Sequence, residues 1–154
     1  MTIVFLDLEE TVIDDINSAI ILVERCEQIR KVLDHIQPDK LGILSWAIWN
    51  ESERKAFLSS CTKARIEAHI QRQFDHDLIW SMETVRDNIF KISGKQFFVE
   101  DFFDLFGKEE CLNFLFRKHF FKEDVVLIDD TVSHKHVTEF NGLRLVYLNA
   151  KLLG

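Results

Sequence analysis

The chain has 154 residues and a net charge of −7, because 26 acidic residues outweigh 19 basic ones. An apolar fraction of 47% and a charged fraction of 29% exclude a disordered or collagen-like chain. No apolar run approaches the roughly 18–20 residues of a membrane span, and no basic segment opens the chain, so we expect neither a membrane segment nor a signal peptide. The acidic balance disfavours broad binding to nucleic acid but leaves room for a small basic cleft that takes one phosphate.

Cysteine and proline usage narrows the class of protein further. Cys26, Cys61 and Cys111 form no C-x-x-C pair, which argues against a zinc ribbon or a disulfide framework and favours a reducing, cytoplasmic compartment. The length predicts one domain over residues 1–154. Pro38 is the only proline and there are five glycines, so we expect long helices and short loops.

The predicted elements alternate between strands and helices. Short apolar, β-branched runs predict strands, and apolar residues spaced three or four apart predict helices. In chain order, the predicted strands are 3–7, 41–45, 77–82, 125–129 and 143–148, and the predicted helices are 15–36, 51–74, 84–92 and 108–119. This alternation predicts a three-layer, Rossmann-like α/β fold, in which helices cover both faces of a mostly parallel five-stranded sheet.

Oxygen-bearing side chains follow three of these strands, where open α/β sheets bind their ligands. The set is Asp7, Glu9, Glu10 and Thr11 after the first strand, Ser45 after the second, and Asp129, Asp130 and Thr131 after the fourth. Crowded carboxylates repel one another and need a cation, and Mg²⁺ prefers such oxygen ligands. A single acidic residue after a strand is more often a helix cap. The prediction of a metal site therefore depends on finding such residues after several strands of one sheet.

The same segments resemble motifs of the haloacid dehalogenase (HAD) superfamily. Residues 4–12, VFLDLEETV, are similar to its first motif, an apolar strand followed by D-x-D-x-T-[LV]. Residues 41–45 are similar to the second motif, a strand that ends in Ser or Thr, and residues 125–131 to the fourth, a strand that ends in paired acids. The resemblance spans residues 3 to about 148 and implies one HAD-like domain with strand order 3-2-1-4-5.

The resemblance also implies a role for each residue. Asp7 would attack phosphorus and form an aspartyl phosphate, and Glu9 would transfer protons. Ser45 would hydrogen-bond a phosphoryl oxygen, and Thr11 would steady the substrate-binding loop. The ligands of Mg²⁺ would be Asp7, the main-chain carbonyl of Glu9, Asp129 and Asp130.

A lysine completes this set, since a cation must offset the repulsion between a carboxylate nucleophile and a phosphate. The family carries it at the start of the helix before the fourth strand. Lys108 has that position in the segment Gly107-Lys108-Glu109-Glu110, which resembles the family's G-K-P-x. Lys95, in Ser93-Gly94-Lys95, is the alternative.

Two features of the sequence bear on activity and on substrate class. Glu9 stands where most phosphatases of the superfamily have Asp, and its longer side chain must fold back to reach the same point. Residues 13–40 separate the first motif from the second strand, and one helix fills most of them, so no large cap domain fits. The site should therefore be open, as in members that act on macromolecular or extended phosphates.

These motifs predict an Mg²⁺-dependent phosphohydrolase whose phosphorylated substrate is unknown. One alternative is a HAD-like scaffold that has lost or altered catalysis and binds a protein partner. Another is a phosphatase of polynucleotide ends, which the acidic net charge disfavours.

Nine of the residues in 97–121 are Phe. Core packing is the first interpretation of these rings, whereas an exposed patch would predict self-association.

Overall fold

A computed structural model describes residues 1–94, 101–102 and 106–154. Its strands are β1 (Thr2–Leu6), β2 (Lys40–Leu44), β3 (Ile79–Trp80), β4 (Asp124–Asp129), β5 (His136–Phe140) and β6 (Leu143–Asn149). They form one sheet in the order β3-β2-β1-β4-β6-β5. All neighbouring strands are parallel except β5 and β6, which are antiparallel.

Helices cover both faces of this sheet. They are α1 (Val23–Ile36), α2 (Glu51–Leu58), α3 (Cys61–Ile70), α4 (Met82–Ser93) and α5 (Lys108–Arg117). Because successive side chains of a strand point to opposite faces, Val4 and Leu6 of β1 pack with α1 and α3, while Ile3 and Phe5 pack with α4 and α5. The predicted three-layer α/β architecture with a mostly parallel sheet is confirmed.

The predicted order of five strands is also confirmed, with β1 at the centre, but the sheet has a sixth strand. The sequence analysis missed β5, an edge strand in which most residues are exposed. It lacks the apolar run that marks the buried parallel strands. The turn Asn141-Gly142, with φ of 51° and 79°, joins β5 to β6 as a hairpin.

The first helix is eight residues shorter at its start than the predicted helix 15–36. Side chains compete with the helix for backbone groups in this segment. The Asp14 carboxylate accepts hydrogen bonds from the amides of Asp15 and Ile20, and the Asp15 carboxylate from those of Asn17 and Ser18. The chain therefore forms turns until Val23, where α1 begins.

Two further predictions are wrong in extent. The single helix predicted over 51–74 is two helices, because Ser60 caps α3 by accepting a hydrogen bond from the amide of Lys63 at 3.2 Å. The strand predicted over 77–82 contains only Ile79–Trp80, since His76–Leu78 form a 3₁₀ turn and α4 begins at Met82.

Core packing explains several of the phenylalanines between residues 97 and 121. Phe102, Phe116 and Phe121 are buried in the hydrophobic core that α4 and α5 form with the sheet, while Phe120 is 36% exposed. Self-association through this region stays a prediction. Phe97, Phe98 and Phe103 lie outside the described residues. Among the described helices, none is long and apolar enough to cross a membrane.

Gly42 of β2 provides a test of the sheet. A Cβ built on it would lie 2.3 Å from the carbonyl oxygen of Leu78 and 2.6 Å from its Cβ. We predict that Gly42→Ala lowers the free energy of unfolding by about 3 kcal/mol, the upper part of the usual range for overpacking. Gly107→Ala is the control, because its Cβ would meet nothing within 4 Å. Urea unfolding curves that are alike for the two variants would contradict this packing.

Candidate active site

The carboxyl ends of β1, β2 and β4 meet at one edge of the sheet, since these neighbouring strands are parallel. Asp7 follows β1, Ser45 follows β2, and Asp129 ends β4. Asp7 and Ser45 border a cleft with a volume of about 570 Å³. The residues that line the cleft are Asp7, Glu9, Glu10, Ser45, Trp46, Ala47, Gly107, Lys108, Glu109, Glu110, Asp130, Thr131 and Val132.

Three carboxylates converge at the base of this cleft. Asp7, Asp129 and Asp130 each place an oxygen within 4.8 Å of the other two. Asp7 is 4% exposed and Asp129 is fully buried, so water screens their mutual repulsion poorly. The structure thus brings together the three side chains that were predicted as metal ligands, and on one face of the sheet.

Lys108 supplies the positive charge of this cluster. It is the first residue of α5, and its Nζ lies 2.8 Å from Oδ1 of Asp7 and also contacts Oδ2 of Asp129. The same ammonium lies 5.9 Å from the centre of the Trp46 ring. Lys108 therefore has the location predicted for the phosphate-binding lysine. The alternative, Lys95, lies outside the described residues.

Lys108 contacts one carboxylate oxygen of each buried aspartate, and a threonine hydrogen-bonds the second oxygen of each. Thr11 donates its hydroxyl to Oδ2 of Asp7 at 3.3 Å. Thr131 donates both its amide and its hydroxyl to Oδ1 of Asp129, each at 2.8 Å. Thr11 is fully buried and does not line the cleft. Thr11 thus orients Asp7 from below the cleft, and its role in steadying the substrate-binding loop stays a prediction.

Ser45 lies at the wall of the cleft beside Asp7. Its Oγ accepts a hydrogen bond from the amide of Ala47 at 3.2 Å, which fixes the oxygen and leaves the hydroxyl hydrogen to donate elsewhere. The side chain is 1% exposed, so this donor is desolvated. Such a group can bind a phosphoryl oxygen that enters the cleft.

Glu9 lines the cleft, but its carboxylate does not belong to the acidic cluster. Oε2 of Glu9 accepts a hydrogen bond from the amide of Ile16 at 2.8 Å, so the side chain also holds the turns between β1 and α1. Glu10, which follows it, has a φ of 60°. Proton transfer by Glu9 would fall to its other oxygen, Oε1, and the role of its carbonyl as a metal ligand stays a prediction.

The sequence analysis missed two residues that hold the loop after β4. Glu109 accepts a hydrogen bond from the amide of Ser133 at 3.3 Å, and Asn149 donates to the carbonyl oxygens of Asp130 and Val132. Asn149 follows the predicted strand 143–148 directly. Like Asp7 and Ser45, it carries a side-chain oxygen at the end of a parallel strand, so its position at this edge of the sheet was predictable in the same way.

Burial and charge shift the pKa values of the central pair. Burial is the main cause that raises the pKa of Asp7 to about 6; the charge of Asp129 acts in the same direction, while the Lys108 ammonium opposes both. Burial alone would lower the pKa of Lys108, but the charges of Asp7 and Asp129 raise it above the ordinary value. The lysine is therefore a permanent cation, and three carboxylates against one ammonium leave an excess of negative charge that suits a divalent cation.

The raised pKa of Asp7 predicts how stability depends on pH in protein freed of metal by EDTA. Between pH 3.8 and about 6 the folded state binds more protons than the unfolded state, so stability falls as pH rises through this window. Asp7→Asn removes the buried charge. We predict that Asp7→Asn matches wild type near pH 4 and is more stable at pH 8, by up to about 3 kcal/mol.

The control for this prediction is Asp15→Asn. Hydrogen bonds from the amides of Ser18 and Asn17 lower the pKa of Asp15, so its charged form stabilises the fold. Asp15→Asn should therefore lower stability at neutral pH, whereas Asp7→Asn should raise it. Urea unfolding between pH 4 and pH 8 measures both differences, and an Asp7→Asn variant no more stable than wild type at pH 8 would refute the electrostatic account.

Nothing among protein-family models, curated proteins or solved structures matches this chain. The resemblance of residues 3–148 to the HAD motifs thus stays a prediction that depends on those motifs. The α/β architecture with its mostly parallel sheet is compatible with a Rossmann-like fold.

Proposed function

We propose that this protein is an Mg²⁺-dependent phosphomonoester hydrolase with a HAD-like fold, and that Asp7 is its nucleophile. The observation that carries the proposal is the set of three carboxylates within 4.8 Å of one another, with the Lys108 ammonium against two of them, in an open cleft. The order β3-β2-β1-β4-β6, with Asp7 after the central strand, supports the family assignment.

Asp7, Asp129 and Asp130 would hold the Mg²⁺ ion, together with the carbonyl of Glu9. Their oxygens are the hard ligands that Mg²⁺ takes in proteins, and few protein ligands leave room for water and phosphate. When bound, the ion would offset the negative charge of the phosphoryl group and of the carboxylate that attacks it.

The first chemical step transfers the phosphoryl group to Asp7. A carboxylate oxygen of Asp7 attacks phosphorus, a P–O bond to Asp7 forms, and the bond to the leaving oxygen breaks with its electron pair on that oxygen. Thr11 and Lys108 orient the carboxylate for this attack. Lys108 also places a positive charge where charge develops on the transferred group.

Glu9 supplies the proton that the leaving oxygen needs. In its protonated form it donates from Oε1 and becomes a carboxylate, which then accepts a proton from the water that hydrolyses the aspartyl phosphate. The products are inorganic phosphate and the free alcohol, and Asp7 is regenerated. The hydrogen bond from Ile16 to Oε2 keeps the side chain beside the cleft throughout.

Two further cleft residues bind the substrate. Ser45 donates its hydroxyl to a phosphoryl oxygen. Trp46, which is half-buried in the cleft wall, offers an aromatic face to the leaving group. The short connection between β1 and α1 contains turns rather than a cap domain, which suits a phosphate on an extended molecule.

Turnover of p-nitrophenyl phosphate tests the reaction class. We predict hydrolysis by wild-type protein that requires Mg²⁺ and is lost in EDTA. Asp7→Asn should abolish it, because the amide cannot act as the nucleophile, and should also weaken Mg²⁺ binding by removing a ligand charge. Glu27→Gln, an exposed residue of α1 outside the cleft, should retain the wild-type rate. A folded wild-type protein inactive across a phosphate library would favour the partner-binding scaffold instead.

Glu9→Gln separates proton transfer from metal binding. The side-chain oxygen of glutamine can still accept the hydrogen bond from the amide of Ile16, so the turns before α1 keep this contact. We predict that Glu9→Gln binds Mg²⁺ nearly as wild type does but turns over about 10²–10⁴-fold more slowly. Glu27→Gln, the same substitution at an exposed residue of α1 outside the cleft, is the matched control and should turn over at the wild-type rate. If Glu9→Gln turns over at the wild-type rate, another group moves the proton.

A further inference from the structure

Asn149, the last residue of β6, makes four hydrogen bonds with its side chain and its backbone amide. Its Nδ2 donates to the carbonyl oxygen of Val132 at 2.7 Å and to that of Asp130 at 3.3 Å. Its amide donates to Nδ1 of His134 at 3.1 Å, and its Oδ1 accepts from the amide of Lys151 at 2.9 Å. At the end of β6, the side chain of Asn149 thereby binds two residues of the loop that follows β4, and its backbone amide binds a third.

The register of the sheet puts Asn149 at this point. β4 and β6 are parallel, and Asn149 is paired with Asp129. The chain leaves β4 after Asp129, so Asp130 lies beyond the ladder of strand hydrogen bonds. The bond from Asn149 to its carbonyl replaces that ladder, and the bond from Ser133 to Glu109 fixes the far end of the loop.

We infer that Asn149 is a positioning residue that holds the Asp130 carboxylate against Asp7 and Asp129. The function of this contact as a support for metal binding rests on the proposed function. Only an amide fits the position, because Nδ2 has two hydrogens for two carbonyls while Oδ1 is an acceptor for Lys151. An aspartate of the same shape would lose both donors and direct a negative charge at the two carbonyl oxygens.

The metal affinity of two Asn149 variants tests this inference. Residues that orient metal ligands commonly change metal affinity about 10–100-fold when replaced. We expect Asn149→Ala and Asn149→Asp to weaken Mg²⁺ binding at least tenfold in titration calorimetry. The control is Asp124→Ala, which removes the 2.9 Å bond from the amide of Arg144 at the opposite end of the sheet. It should lose stability while its Mg²⁺ affinity stays within twofold of wild type.

Amide hydrogen exchange in EDTA gives a second readout that needs no metal. The amide of Thr131 donates to Asp129 at the start of the loop. The amide of Val126, in the middle of β4, is the reference position. Asn149→Asp should speed exchange at Thr131 at least tenfold and leave Val126 unchanged. Asn149 variants with wild-type Mg²⁺ affinity, or with wild-type exchange at Thr131, would overturn the inference. A wild type that binds no Mg²⁺ would refute the proposed metal site, and exchange at Thr131 would still decide whether Asn149 holds the loop.

Discussion

The repulsion between two buried aspartates is the constraint on which the site depends. Asp7 and Asp129 end adjacent parallel strands, so the sheet itself forces their carboxylates together. Lys108 contacts both, and each keeps one oxygen on a threonine. Burial makes this charge costly, as the raised pKa of Asp7 shows. A sheet built for stability alone would place apolar side chains here, and such a strained site is typical of function.

Much of the fold was predictable because buried parallel strands have a plain signature. Val125–Ile128 of β4 is an uninterrupted apolar run, since helices cover both faces of the sheet. The acids that follow such a run lie at the ligand-binding edge whenever the sheet is parallel. The meeting of Asp7 with Asp129 therefore follows from the sequence, and the position of Lys108 from the family resemblance.

The parts of the structure that were not predicted depend on hydrogen bonds between side chains and backbone groups elsewhere in the chain. The spacing of apolar residues does not indicate such bonds. The apolar spacing of residues 15–22 suits a helix, yet the carboxylates of Asp14 and Asp15 bind amides in a turn conformation instead. β5 is half-exposed at the sheet edge, so its residues carry no buried pattern. Glu9 was identified as an acid, but nothing in the sequence shows that it also binds the amide of Ile16.

The loops that follow β1, β2 and β4 are each held by a polar side chain rather than by regular structure. Glu9 binds the turns after β1, Ser45 binds the amide of Ala47 after β2, and Asn149 binds the loop after β4. The hydrogen bonds between strands end where these loops begin, and the carboxylates at the centre of the site repel one another. Neither of these can fix the positions of the loops. The side-chain hydrogen bonds fix them without a ligand. In the proposed reaction, such preorganised groups would favour the transition state, because they need not rearrange when charge develops.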